Sequence, residues 1–167
     1  GGTFRNMTAG SGLDSALGWW NSINSGDFDN DGDIDYVVGN LGLNTRYKAS
    51  DKFPIEMYCK DYDDNGSVDH IMTYYSDGIQ YPARALNLLY NQMPGMNKKF
   101  PDYGKFALSE FSEIFSKQQI DSSACLKATI FENCTLENLG NGKFKIHILP
   151  KMAQVSPAFG SSVQDFD

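Results

Sequence analysis

Two acidic stretches constrain this chain more than any other feature. In GDFDNDGDID, Gly26 to Asp35, aspartates stand at alternate positions 27, 29, 31, 33 and 35. In KDYDDNGSVDHI, the residues Asp61, Asp63, Asn65, Gly66, Ser67 and Asp69 fall in the same register as Asp27, Asp29, Asp31, Gly32, Asp33 and Asp35. Carboxylates crowded in this way repel one another in the low-dielectric surroundings of a fold, so each stretch is either solvated and loose or holds a cation. Oxygen-bearing residues at positions 1, 3, 5 and 9, with glycine at 6, wrap a hard cation, and the backbone carbonyl at position 7 supplies a further ligand. Calcium fits better than magnesium, which demands a tight octahedron and keeps its waters. Two Asx-rich turns without metal are the plain alternative.

The helix-flanked calcium loop of an EF-hand is excluded. It needs a bidentate Glu at position 12, where these loops carry Val38 and Met72. The flanks WNSINSGDF and IDYVVGN, and IEMYCKDY and VDHIMTYY, alternate or run β-branched, so the loops join strands.

Composition supports a folded domain. The chain is 167 residues long, 41% hydrophobic and 13% aromatic, enough for a buried core and too little charged for a disordered tail. Its net charge of -7 is local, because the two loops with Asp165 and Asp167 hold 11 of the 21 acidic residues. No basic stripe favours nucleic acid. No apolar run approaches the roughly 18 residues that cross a bilayer, and the chain opens on Gly-Gly rather than a basic and apolar signal sequence.

A repeat runs through the sequence. GGTF precedes GDFD near the start, and GNGKF precedes QDFD near the end, with Asp165 beginning a third copy of the loop. Repetition of this kind points to propellers or solenoids. The paired DxDxDG-xx-D loops with the strand before each, VVGNLG after the first and LENLGNGKF before the third copy resemble the FG-GAP/VCBS repeats of integrin-α-like β-propellers, most like those of bacterial secreted proteins. The resemblance implies a propeller of four-stranded blades with calcium in inter-strand loops. It implies calcium ligation by Asp27, Asp29, Asp31, Asp33 and Asp35, and by Asp61, Asp63, Asn65, Ser67 and Asp69.

The expected fold is therefore mainly β, a partial propeller of about two to three blades, with residues 1–167 a fragment of a single propeller domain and a short helical insertion over 83–120. ARALNLLYNQM, Ala83 to Met93, is helix-like and stops at Pro94, and ALSEFSEIFSK, Ala107 to Lys117, has Phe111, Ile114 and Phe115 at helical spacing. The segment between them, PGMNKKFPDYGK, reads as loop. Strands are expected to resume at Leu126 to Glu132, Thr135 to Asn138, Lys143 to Leu149 and Phe159 to Gln164, about nine in all. Closed propellers need about four to eight blades, so such a piece would expose sheet faces that the rest of a ring covers.

The remaining features carry less. Cys59, Cys125 and Cys134 make neither a zinc pattern nor an even disulfide framework; Cys125 and Cys134 could pair across a hairpin, although LKATIFEN between them contains no turn signal. Trp19 and Trp20 could stack a sugar ring, although packing between blades is the commoner fate of such a tryptophan. His70 and His147 have no paired nucleophile, GSSV lacks the second glycine of a nucleophile elbow, and GNLGLN is no phosphate loop. Asp63 and Asp64 could pose as acid and base, but metal ligation explains them better. No catalytic residue is assigned. The sequence thus favours a calcium-binding, secreted or cell-surface module for adhesion to, or binding of, protein or glycan, in which calcium is structural. The alternative is part of a carbohydrate-active enzyme, which a cleft gathering Glu110, Glu113 or Asp102 would favour.

Overall fold

Each acidic loop turns one antiparallel hairpin in the computed structural model, which describes residues 2–164. Strands β1 (Ser22–Gly26) and β2 (Asp35–Gly39) flank the first loop, and β3 (Ile55–Lys60) and β4 (Asp69–Ser76) flank the second. β5 (Ile79–Pro82) follows β4 through Asp77 and Gly78, both at positive φ, as a tight two-residue hairpin turn requires. Five short helices come next: α1 (Leu86–Gln92), α2 (Met96–Lys99), α3 (Tyr103–Leu108), α4 (Phe111–Ile114) and α5 (Lys117–Asp121). β6 (Ala124–Ala128), β7 (Cys134–Asn138) and β8 (Phe144–Ile148) complete the strands, and a 3-10 turn spans Lys151–Gln154. The fold is mainly β. It has two antiparallel four-stranded sheets, in the orders β1-β2-β7-β8 and β5-β4-β3-β6, and neither closes on itself.

The sheets belong to two compact units, one built from residues 2–46 and 129–164, the other from Tyr47–Ala128. In the discontinuous unit, the register aligns Ile23, Val38, Cys134 and Ile148 in one row across the sheet. The middle pair is buried, while Ile23 and Ile148 on the edge strands are 60% and 52% exposed. Past the strand ends, three buried amides hold the turns together. The Asn40 N–H donates to Asn133 Oδ1 at 2.6 Å, the Asn133 N–H donates to Gln154 Oε1 at 2.8 Å, and Gln154 Nε2 donates to the Asn133 and Leu149 carbonyls. Backbone groups left unpaired in that interior would each cost about 1–3 kcal/mol.

The contiguous unit has an aromatic core. Tyr58 and Ile71 from the sheet meet Leu86, Leu89, Met93, Met96, Phe100, Phe106, Phe111, Ile114 and Phe115 from the helical segment. Ring centroids lie 4.8 Å apart for Tyr58 and Phe111 and 4.5 Å for Tyr62 and Phe115. Phe111 and Ile114 lie in α4 and Phe115 is its C-cap, so their apolar spacing serves burial within one short helix rather than within the longer one expected.

Several expected boundaries shift, each for a local reason. The helix expected over Ala107 to Lys117 is divided. Ser109 turns its hydroxyl back to the Lys105 carbonyl, and Ser116 caps α5 in a reciprocal capping box with Gln119. The stretch read as loop contains α2 and the start of α3, whose first turn is capped by the Asp102 carboxylate accepting from the Lys105 N–H at 2.9 Å. The strand expected from Leu126 to Glu132 ends at Ala128, because the Thr129 and Ile130 N–H groups both donate to the Leu17 carbonyl. No strand forms over Phe159 to Gln164. There the chain crosses a sheet face, held by Ser22 Oγ on the Ala158 carbonyl and Asn24 Nδ2 on the Ser161 carbonyl, where ladder bonds are out of reach. Gly39 admits this crossing, since a Cβ there would sit 2.0 Å from the Ala158 oxygen. The loop beginning at Asp165 lies outside the described residues. All three cysteines are free.

Candidate functional site

The two hairpin loops are built alike, from short-range hydrogen bonds. In the first, Asp27 accepts from the Asp31 N–H at 3.2 Å and the Gly32 N–H at 3.0 Å, while Asp31 Oδ1 accepts from the Asp33 N–H at 2.8 Å. In the second, Asp61 accepts from the Asn65 N–H at 3.1 Å and the Gly66 N–H at 2.8 Å, while Asn65 Oδ1 accepts from the Ser67 N–H at 2.8 Å. Gly32 and Gly66, at φ 92° and 88°, adopt the left-handed backbone that lets the chain double back. Asn30 and Asp64 do the same at 61° and 57°, the residue types that tolerate it best.

Within each loop, positions 1, 3 and 9 converge. Carboxylate oxygens of Asp27, Asp29 and Asp35 lie within 4.8 Å of one another, as do those of Asp61, Asp63 and Asp69. Oxygens bound to one hard cation at 2.3–2.6 Å can be up to about 5 Å apart, so a single ion can reach all three. The side chains at position 5, Asp31 and Asn65, brace the turn through the hydrogen bonds above, and Asp33 at position 7 directs Oδ2 toward Gly140. Ser67 offers its N–H to Asn65.

Position 9 is the buried anchor of each group. Asp35 and Asp69 open strands β2 and β4 and are each only 2% exposed. Asp35 Oδ2 accepts from the Phe28 N–H at 3.0 Å and its Oδ1 from the Asn138 N–H at 2.7 Å. Asp69 Oδ2 accepts from the Tyr62 N–H at 3.0 Å. Burial holds the Asp69 carboxyl above its usual range; the Tyr62 N–H opposes this, and repulsion from Asp63 and Asp61 adds to it. Both groups therefore gather negative charge at a partly desolvated point, an arrangement that could hold a divalent cation.

Sequence reasoning missed Asn138, whose N–H holds Asp35 and whose side chain donates to the Ile34 carbonyl at 3.1 Å. The LENLGNGKF motif marks its position, although only as part of a repeat. It also missed Glu56, buried in the other unit with Lys127 Nζ at 2.7 Å, Gln80 Nε2 at 2.7 Å and Tyr58 Oη at 3.1 Å. No local pattern distinguishes that glutamate from an exposed strand residue.

The other sequence candidates take part in packing, pairing and capping contacts. Trp19 tilts against Phe131 with centroids 6.3 Å apart, and Trp20 Nε1 donates to the Ala16 carbonyl while its ring borders an open apolar cavity of about 440 Å³ with Leu13, Val38 and Leu136. The His70 N–H donates to Gln92, and His147 pairs with Glu137, whose carboxyl it holds below the usual range. Asp102 caps α3 and Glu113 accepts from the Glu110 N–H at the start of α4. No helix among the described residues is long and apolar enough to cross a membrane. In comparisons with protein-family models, curated proteins and solved structures, nothing matches this chain.

Proposed function

We propose that the chain is part of a calcium-stabilised extracellular propeller module that binds or adheres to protein or glycan. The observation that carries this reading is the duplication: two loops distant in sequence gather the same three carboxylates with the same bracing hydrogen bonds. In both loops the ninth residue is buried, where its carboxylate accepts a backbone N–H of the loop and places a charge within reach of the other two carboxylates. The resemblance to FG-GAP/VCBS repeats supports the propeller, in which the two four-stranded sheets are two blades of a ring of about four to eight. Calcium suits a flexible, oxygen-rich loop better than magnesium does, and a weak site is sustained where calcium is millimolar, outside the cell. Its role is structural. The ion would neutralise carboxylates that repel one another and tie each hairpin at its turn.

The test is a pair of thermal melts, in millimolar calcium and after chelation, with metal loss confirmed by elemental analysis. At a hundredfold excess over its dissociation constant, calcium should stabilise the fold by about 2.7 kcal/mol per site. An unchanged midpoint would overturn the structural role.

A further inference from the structure

In the contiguous unit, residues of β4, β5, α1 and α3 line a cavity of about 280 Å³. Three tyrosines shape it. Tyr74 and Tyr81 are cross-strand partners with ring centroids 6.3 Å apart and planes inclined by 39°, and Tyr103 from α3 is 58% exposed. Pro82, Phe106 and Ser109 complete the part that matters here, and no lining residue among those described carries a charge at neutral pH.

These features select a ligand class. The lining has no charged side chain to pair with a phosphate, carboxylate or amine, so a neutral ligand that also uses the phenol oxygens is favoured over an ammonium held by the ring faces alone. Aromatic faces are electron-rich and attract the polarised C–H hydrogens on one face of a saturated ring. Each phenol oxygen both donates and accepts, matching the hydroxyls on the edge of such a ring. Tyrosine also supplies this contact with only two side-chain torsions to fix. The volume falls just below the usual span of ligand pockets, about 300–1,000 Å³, and suits one or two rings. A proline-rich peptide would stack on the same side chains, but at about 3.1 Å per residue it needs a groove several residues long, and its carbonyls only accept.

We propose that this groove binds a neutral carbohydrate, with a sugar ring stacked on the tyrosines and its hydroxyls bonded to their phenol oxygens. The inference rests on the binding-module reading and narrows its ligand to glycan at one place. The experiment is saturation-transfer NMR on the 167-residue chain in millimolar calcium. The probes are maltotriose, cellotriose, xylotriose and chitotriose, with octaproline as the peptide probe. Transfer to the ring protons of at least one sugar is expected. Tyr103→Ala and Tyr81→Ala should each weaken it roughly tenfold, the size of other ring-on-aromatic contacts. Tyr81→Phe, which keeps the ring, should weaken it less. The exposed Tyr103→Ala should leave the melting midpoint unchanged, separating lost contact from lost fold.

Transfer to none of the sugars, transfer to octaproline alone, or sugar binding untouched by both alanine variants would overturn the proposal. A calcium-dependent midpoint with no sugar bound would sink the groove while sparing the calcium reading. Tyrosine-dependent sugar binding in a protein whose midpoint ignores chelation would do the reverse.

Discussion

At the scale of residues, the two loops differ where their charge differs. Position 5 is Asp31 in one and Asn65 in the other, and position 7 is Asp33 against Ser67. A cage with more negative charge holds a divalent ion more tightly, even though Asp64 partly compensates in the second loop. Calorimetry should therefore find tighter calcium binding in Asp63→Ala, which keeps the first loop, than in Asp29→Ala, which keeps the second; equal affinities would refute the ranking. Asp69 makes a second prediction, for the chelated protein. Its carboxyl binds a proton more tightly folded than unfolded, so stability is greatest below the ordinary aspartate value of about 3.9 and declines as pH rises through the raised range. Melts in chelator from pH 4 to 7 should show this contribution as a falling midpoint, absent in Asp69→Asn. Calcium should reverse the slope, since the ion binds the deprotonated form.

At the scale of elements, the helical segment shows how local signals and packing share control. Capping fixes where α3 and α5 begin, through Asp102 and Ser116, while burial of Phe111 at 1% exposure fixes where the segment lies on its sheet. The energies differ accordingly. Phe111→Ala removes a ring packed on Tyr58 and Phe115 and should cost about 3–5 kcal/mol in urea titrations. Ser116→Ala should cost about 1 kcal/mol, the usual loss of a cap. If the cap proved the costlier of the two, the segment would owe its place to local helix formation rather than to the core. The spacing of the aromatic residues was readable beforehand. The breaks at Ser109 and Ser116 went unread, because apolar periodicity alone gave one helix where the chain makes three.

At the scale of the whole molecule, the chain forms one unit, departs at Tyr47 to form a second, and returns at Thr129 to complete the first. The aromatic cluster lies wholly within Tyr47–Ala128, so that segment expressed alone should unfold cooperatively, with near-ultraviolet dichroism and tyrosine fluorescence giving one midpoint. A gradual transition would show that its core depends on the remaining chain. The sequence by itself determined the two loops, their hairpins and the mainly β character. Their hydrogen bonds join residues two, four and five apart, so residue type and spacing are enough to set them. Only the tertiary structure decided that β2 pairs with β7 and that Asn138, 103 residues away, holds Asp35. It also decided that Asn40, Asn133 and Gln154 share one buried network. Such partners are chosen by which buried donors must find acceptors once the chain is packed, and a linear pattern carries no record of that choice.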